Sequence, residues 1–222
     1  MDSFSTGREH QIKEIQALYV LKRKEILLRL KDFKRIWDKG TKEEIFAEIV
    51  YCILTPMARG KMCCIAVENM VRSKVLFAGD RSQIASELIG ARFIHKKSAY
   101  IVEARDKFLL NRDVSLRSKL IQTNDSHDAR QWLVQNVKGI GYKEASHFLR
   151  NIGFTQNFAI LDRHIVRNLY SLGVIGTIPD SFSKRRYLDM ERRMMDFSNA
   201  IQIPIGHIDL VMWYKETGEI LK

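Results

Sequence analysis

Almost every stretch of this chain places apolar residues at the three- and four-residue spacing of an α-helix, and strict period-2 alternation never lasts beyond about four residues. A framework built on sheets is therefore excluded. Residues 9–38 carry Ile12, Ile15, Leu18, Leu21, Ile26, Leu27, Leu30, Phe33 and Ile36 on a helical repeat, broken at most once, and Gly40 stops it. Thr41-Lys42-Glu43-Glu44 reads as a capping box that opens a helix through Ile45, Ile49 and Ile53. Pro56 ends that helix near Leu54. Further helices are predicted over 60–73, 81–91, 95–110, 114–121, 127–137, 143–152, 163–171, 183–199 and 206–217. Only Ile201 to Ile205 looks extended. The expectation is an all-α protein without internal repeats or a long linker.

Composition narrows the function classes. Hydrophobic residues make up 45% of the 222, enough for a real core, so wholesale disorder is excluded. Lys and Arg number 37 against 26 Asp and Glu, a formal net charge of +11. An excess of that size points to a polyanionic partner, first of all nucleic acid. A merely basic soluble surface is the plainer alternative. A membrane surface is disfavoured, since no basic helix carries a strong Trp/Phe face. No apolar run approaches the ~18–20 residues of a membrane span, and Met1 to Ser5 is neither basic nor apolar, so an intracellular protein of the cytoplasm or nucleoid is expected. Cys52, Cys63 and Cys64 are odd in number, lack His at metal-ligand spacing and are too few for a four-cysteine cluster. They read as three buried small apolar residues, with no metal site.

The chemistry concentrates in two places. Around residues 130–152, a helix bearing Trp132 and Val137 runs into Gly139-Ile140-Gly141, and a second helix starts near Lys143. Two glycines permit a tight turn and close approach of a phosphate to the backbone, and free N–H groups at the new helix start can bind it. This is a helix-hairpin-helix pattern. Lys143 sits in a first turn, where a cation opposes the helix dipole. The same field disfavours the ammonium and so favours a neutral, nucleophilic amine. A solvated surface lysine is the competing reading. Nineteen residues later, Asp162 follows an apolar run, Asn157 to Leu161, and is a good N-cap for a helix bearing Ile165, Val166 and Leu169. Arg163 and His164 again place positive groups in a first turn, where a docked phosphate would suit them.

Together these residues resemble the helix-hairpin-helix DNA glycosylase superfamily. Lys143 to Asn151 and Ala159 to His164 look like the compact 8-oxoguanine DNA glycosylase/lyases of archaea and some bacteria. Ala91 to Lys97 with Tyr100 to Arg105 is similar to that family's middle motif. Asp209-Leu210, Trp213 to Gly218 and the terminal Lys222 resemble its C-terminal signature. The resemblance covers roughly residues 43–222.

The resemblance implies a bifunctional enzyme of base excision repair that removes 8-oxoguanine. Lys143 is then the nucleophile that attacks the anomeric carbon, expels the base and leaves a Schiff base, after which β-elimination nicks the strand. Asp162 stabilises positive charge on the sugar and helps activate the lysine. Gly139, Gly141 and His164 contact DNA phosphates. His147, one turn beyond Lys143, and Trp213 line the pocket for the flipped base. Phe93 is a weaker stacking candidate, Lys222 reaches the base with its terminal carboxylate, and Asp209 accepts from the base or else caps or pairs on the surface. The fold implied has two helical lobes, residues 1–44 with 156–222 and residues 45–155, with the active cleft between them. The expected partner is double-stranded DNA containing damaged guanine, bound by a monomer. No cofactor is needed, although a cation can bridge the hairpin carbonyls and a phosphate.

The sequence departs from the compact family after Cys52-Ile53-Leu54-Thr55, where Pro56-Met57-Ala58-Arg59 replaces the usual Ala-Asn. This loop is where the superfamily wedges a side chain into the duplex, and Met57 and Arg59 are equal candidates. The usual proline before Asp162 is also absent. A glycosylase for another lesion, or a non-catalytic hairpin DNA-binding protein, remains the alternative. Phosphate binding alone, however, needs neither Lys143 nor Asp162.

Overall fold

The computed structural model describes residues 3–88 and 91–220. Among these residues it contains helices and no strand. The first, α1 (Ser3–Lys39), is continuous, so the break allowed by the sequence is not used. Its buried residues Ile15, Ile26, Leu30 and Phe33 recur at multiples of a helical turn, which is why it stays one helix. Leu21 and Leu27, expected on that stripe, are exposed. The Gly40 N–H closes the helix on the Ile36 carbonyl. Arg117 adds two donors, to the Ile36 and Gly40 carbonyls at 3.0 and 2.7 Å.

The chain divides into two compact units, Met1–Asp32 with Thr155–Lys222, and Phe33–Phe154. The first boundary thus falls inside α1 rather than at the expected residue 44.

In the unit Phe33–Phe154, α2 (Lys42–Leu54) is the centre. The expected capping box forms: Thr41 Oγ1 accepts from Glu44 N–H at 3.2 Å and Glu44 Oε2 accepts from Thr41 N–H at 2.8 Å. From Ile45 to Leu54 the helix is buried on every side, so neighbours must surround it. They are α3 (Gly60–Arg72), α6 (Ile94–Phe108), α7 (Leu116–Ile121) and α9 (Tyr142–Asn151). The unit also holds α5 (Arg81–Glu87), against α6, and α8 (Ser126–Asn136), against α9. A short α4 (Val75–Ala78), too brief to show a period, was not expected. Gly153 ends this unit at φ +69, and a Cβ there would lie 2.4 Å from Lys34 Cα, so only glycine fits. Cys52 and Cys63 are buried as expected, but Cys64 is only half-buried.

In the other unit, α12 (Ile205–Thr217) packs against α10 (Arg163–Ser171) and α11 (Lys184–Ala200). Of the stretch expected to be extended, Ile201 and Gln202 form a turn, with Gln202 at φ +58, Ile203 and Pro204 are irregular, and Ile205 opens α12. No helix among the described residues is long and apolar enough to cross a membrane.

His207, on α12, meets the Tyr19 hydroxyl of α1 through Nδ1 at 3.0 Å. Burial first, and Arg23 second, hold its imidazole below the usual 6.5. A depressed value in the fold means that the neutral ring is favoured there. Its stabilising contribution is complete above 6.5 and is lost as pH falls through the lower folded value. Urea titrations between about pH 8 and pH 5 should therefore show wild-type stability falling faster than that of His207→Gln. Parallel curves would refute this.

Candidate active site

The hairpin is the turn between α8 and α9. Gly139 adopts φ +83, and a Cβ there would sit 2.7 Å from the Tyr100 ring. Ile140 is buried and anchors the turn. Gly141 is the N-cap of α9, in extended backbone. Its N–H, expected to face a phosphate, donates instead to Glu144 Oε2 at 3.1 Å.

Lys143 follows in the first turn of α9, with its side chain 19% exposed. Nζ donates to Thr55 Oγ1 at 3.0 Å, just beyond the end of α2. It also lies 3.6 Å from Glu144 Oε1. One carboxylate thus closes the hairpin turn and faces the amine, and it supplies the negative charge that a helix start favours. The Thr55 hydroxyl donates its own hydrogen to the Cys52 carbonyl at 3.0 Å, so toward Lys143 it presents a lone pair.

His147 lies one turn further along α9 and is buried. Its ring meets Tyr51 of α2 edge to face, with centroids 5.4 Å apart. Burial pushes the Tyr51 hydroxyl well above its ordinary value, so it stays protonated. Burial also pushes the Cys63 thiol up to about 11, which keeps it a thiol at neutral pH.

Three exposed side chains stand on strained backbone in this unit, Lys74 and two large apolar ones. Met57 has φ +55 and is 62% exposed; Phe93, the N-cap of α6, has φ +60 and is 57% exposed. Bulky residues rarely adopt these angles, and such strain concentrates where a side chain has to be presented. Arg59 is exposed too, as the N-cap of α3, but its backbone is ordinary extended chain.

In the other unit, Asp162 caps α10 as its sequence position predicts. Oδ1 accepts both the His164 and the Ile165 N–H, at 2.8 and 2.9 Å. The capping bonds use a single oxygen, and the side chain is half-buried. The buried run Phe158 to Leu161 before it is fastened by α11. Tyr187 Oη donates to the Ala159 carbonyl at 2.7 Å, and Glu191 Oε1 accepts the Ala159 N–H at 3.2 Å.

His164 lies 4.0 Å from Glu216 Oε2, and its ring is 5.2 Å from that of Trp213, which is half-buried on α12. Asn168 Nδ2 donates to Glu216 Oε1 and to the His164 carbonyl, both at 3.0 Å. Asp209, one turn before Trp213, is 1% exposed, which excludes the surface ion pair. Lys222 lies outside the described residues.

Several of these residues escaped the sequence. Glu144 and Thr55 gave no signal of their own. Tyr187 and Glu191 are four apart on α11, a spacing that shows only a shared face. Lys97 did give a signal, a cation in the first turn of a helix, and it matched that of Lys143.

A family model described as 8-oxoguanine DNA glycosylase (Ogg-HhH) matches residues 26–203. A curated protein of Fusobacterium nucleatum, named 8-oxoguanine DNA glycosylase/AP lyase, is 38% identical over 97% of this chain and 99% of its own. One of the same name from Methanocaldococcus jannaschii is 37% identical over 95% of this chain and 99% of its own. The crystal structure of the M. jannaschii 8-oxoguanine DNA glycosylase is 34% identical and superposes with a TM-score of 0.87 over the full length of both chains. The M. jannaschii glycosylase/lyase in complex with DNA containing 8-oxoguanine is 34% identical, with a TM-score of 0.86 over 96% of this chain and all of that one.

Tyr187→Phe removes the buried donor to the Ala159 carbonyl. It is expected to cost about 1–3 kcal/mol, read as a lower urea midpoint. A change within about 0.5 kcal/mol, the range of an ordinary surface substitution, would show that this bond does not hold the segment before Asp162.

Proposed function

The chain belongs to the 8-oxoguanine DNA glycosylase family, and we propose that it excises 8-oxoguanine from DNA and then nicks the abasic strand. The observation that carries this reading is the setting of Lys143. It is a mostly buried lysine at a helix start, held by a hydroxyl that can only accept from it.

In this reading the neutral Lys143 amine attacks C1′ of the damaged nucleotide and forms the new C–N bond. The N-glycosidic bond breaks and its electron pair leaves with the base. Proton loss from the nitrogen and opening of the sugar give the Schiff base. Removal of a C2′ proton then expels the 3′ phosphate, which is β-elimination. Asp162 supplies negative charge where the sugar becomes cationic. Its capping bonds engage Oδ1 alone, so Oδ2 remains for that role while the cap keeps the carboxylate fixed. Trp213 and His147 are assigned to the flipped base and His164 to a phosphate, with Glu216 and Asn168 orienting the imidazole. For the wedge we choose Met57 over Arg59. It combines an apolar, exposed side chain with a strained backbone, and apolar wedges are what unstack base steps.

Borohydride reduction on a duplex containing 8-oxoguanine should trap a covalent protein–DNA adduct. Lys143→Gln should abolish it. Strand cleavage that persists in Lys143→Gln would remove the lysine from this role. Asp162→Asn should still bind the duplex but excise the base more slowly by about 10²-fold or more, measured as a single-turnover rate. A near-normal rate would sink the electrostatic assignment.

A further inference from the structure

We propose that Lys97 is a positioning residue for Lys143, acting through Thr55; the proposal rests on Lys143 being the nucleophile. Lys97 stands in the first turn of α6, where a cation is unfavourable, and is 4% exposed. Among the described residues no carboxylate lies within ion-pair distance of it, although the charge of Glu144 reaches it. A buried ammonium is strongly disfavoured unless its hydrogens find acceptors. The acceptors here are two main-chain carbonyls, Leu54 at 2.7 Å and Pro56 at 2.9 Å. Leu54 is the last residue of α2 and Pro56 lies in the loop beyond it. The residue between them is Thr55.

Lys97 therefore holds the carbonyls of the residues on either side of Thr55, the residue that touches Lys143. The Thr55 N–H and hydroxyl return to α2, to the Tyr51 and Cys52 carbonyls at 3.2 and 3.0 Å. With its hydrogen committed there, the hydroxyl can only accept from Lys143. A neutral amine that donates to Thr55 has its nitrogen held in place and its lone pair turned away from that oxygen. Attack at carbon depends on that placement. Burial pushes Lys97 itself below the ordinary lysine range, in keeping with a tightly held site.

A simple cap for α2 would serve stability and leave catalysis alone, so the two roles separate experimentally. The variants are Lys97→Met, which keeps the stem and loses the donors, Thr55→Val, which loses the hydroxyl at equal size, and the double variant. Adduct formation is followed under borohydride in single turnover on 8-oxoguanine duplex. Affinity is measured in parallel on a duplex with a non-cleavable sugar. Lys97→Met and Thr55→Val should each slow the adduct by on the order of 10²-fold with affinity unchanged. The double variant should be no slower than the slower single, because both act on one contact. Lys97→Arg, which can still reach two carbonyls, should recover part of the rate. A wild-type rate in Lys97→Met, or losses that multiply in the double variant, would overturn the proposal. If Lys97→Met does not fold, Thr55→Val decides alone, and a wild-type rate there is equally fatal. If the wild-type protein itself forms no adduct, the assignment of Lys143 fails first and this proposal falls with it.

Discussion

The hydrogen bond from Lys143 to Thr55 ties the start of α9 to the end of α2, and the surrounding unit is arranged about that junction. The physical reason begins with α2. A helix that is apolar on all sides can exist only at the centre of its unit. Its C-terminus is then buried as well, and a buried helix end has carbonyls that water cannot reach. Lys97 supplies part of what they need, and it does so from a position that local helix rules disfavour. The start of α9 arrives at the same place from the opposite direction, with its own unpaired donors and with Glu144 to close them. Two helix termini of opposite polarity and two lysines are thus brought together by the demand to bury α2.

Asp162 shows the same economy in the other unit. A capping aspartate has little freedom, because its oxygen is fixed by two N–H groups. That rigidity suits an electrostatic role, since a preorganised charge does not need to reorient as the sugar becomes cationic. Capping and catalysis are therefore compatible readings of one residue. What precedes Asp162 matters equally. The buried run Phe158 to Leu161 has no regular helix or strand to hold it, and α11 provides the anchors through Tyr187 and Glu191.

Most of the helices were legible because each has a buried stripe that recurs with the helical period. α4 was not, since four residues span barely one turn. The stop at Gly40 and the capping box at Thr41 were read correctly, because both depend on groups close in sequence. The unit boundary within α1 was missed, because it depends on where the buried residues find partners and not on any local breaker. At the site, Lys143 and Asp162 stood out as residues at odds with, or well suited to, a helix start. Thr55 and Glu144 could not stand out, since their roles exist only once α2 and α9 meet. Lys97 had the same anomaly as Lys143. Its many exposed counterparts concealed it, and burial alone distinguishes it.

The net charge of +11 pointed to a polyanion, but the cations do not all serve that end. Lys97, Arg105 and Arg117 each donate to main-chain carbonyls, and the exposed Lys42 donates to the Leu109 carbonyl. Arg192 and Arg193 both pair with Asp189 on the exposed face of α11, which supports a solvated face over a contact surface. Attraction to DNA falls to the remaining exposed lysines and arginines, whose effect is long-ranged, salt-dependent and indifferent to the lesion. The chemistry proposed for this chain falls to a lysine with the opposite properties, held short, screened from solvent and defined by one or two partners. A fold of this kind has to keep the two populations apart, because a lysine free enough to search along DNA is too mobile to direct its lone pair at one carbon atom.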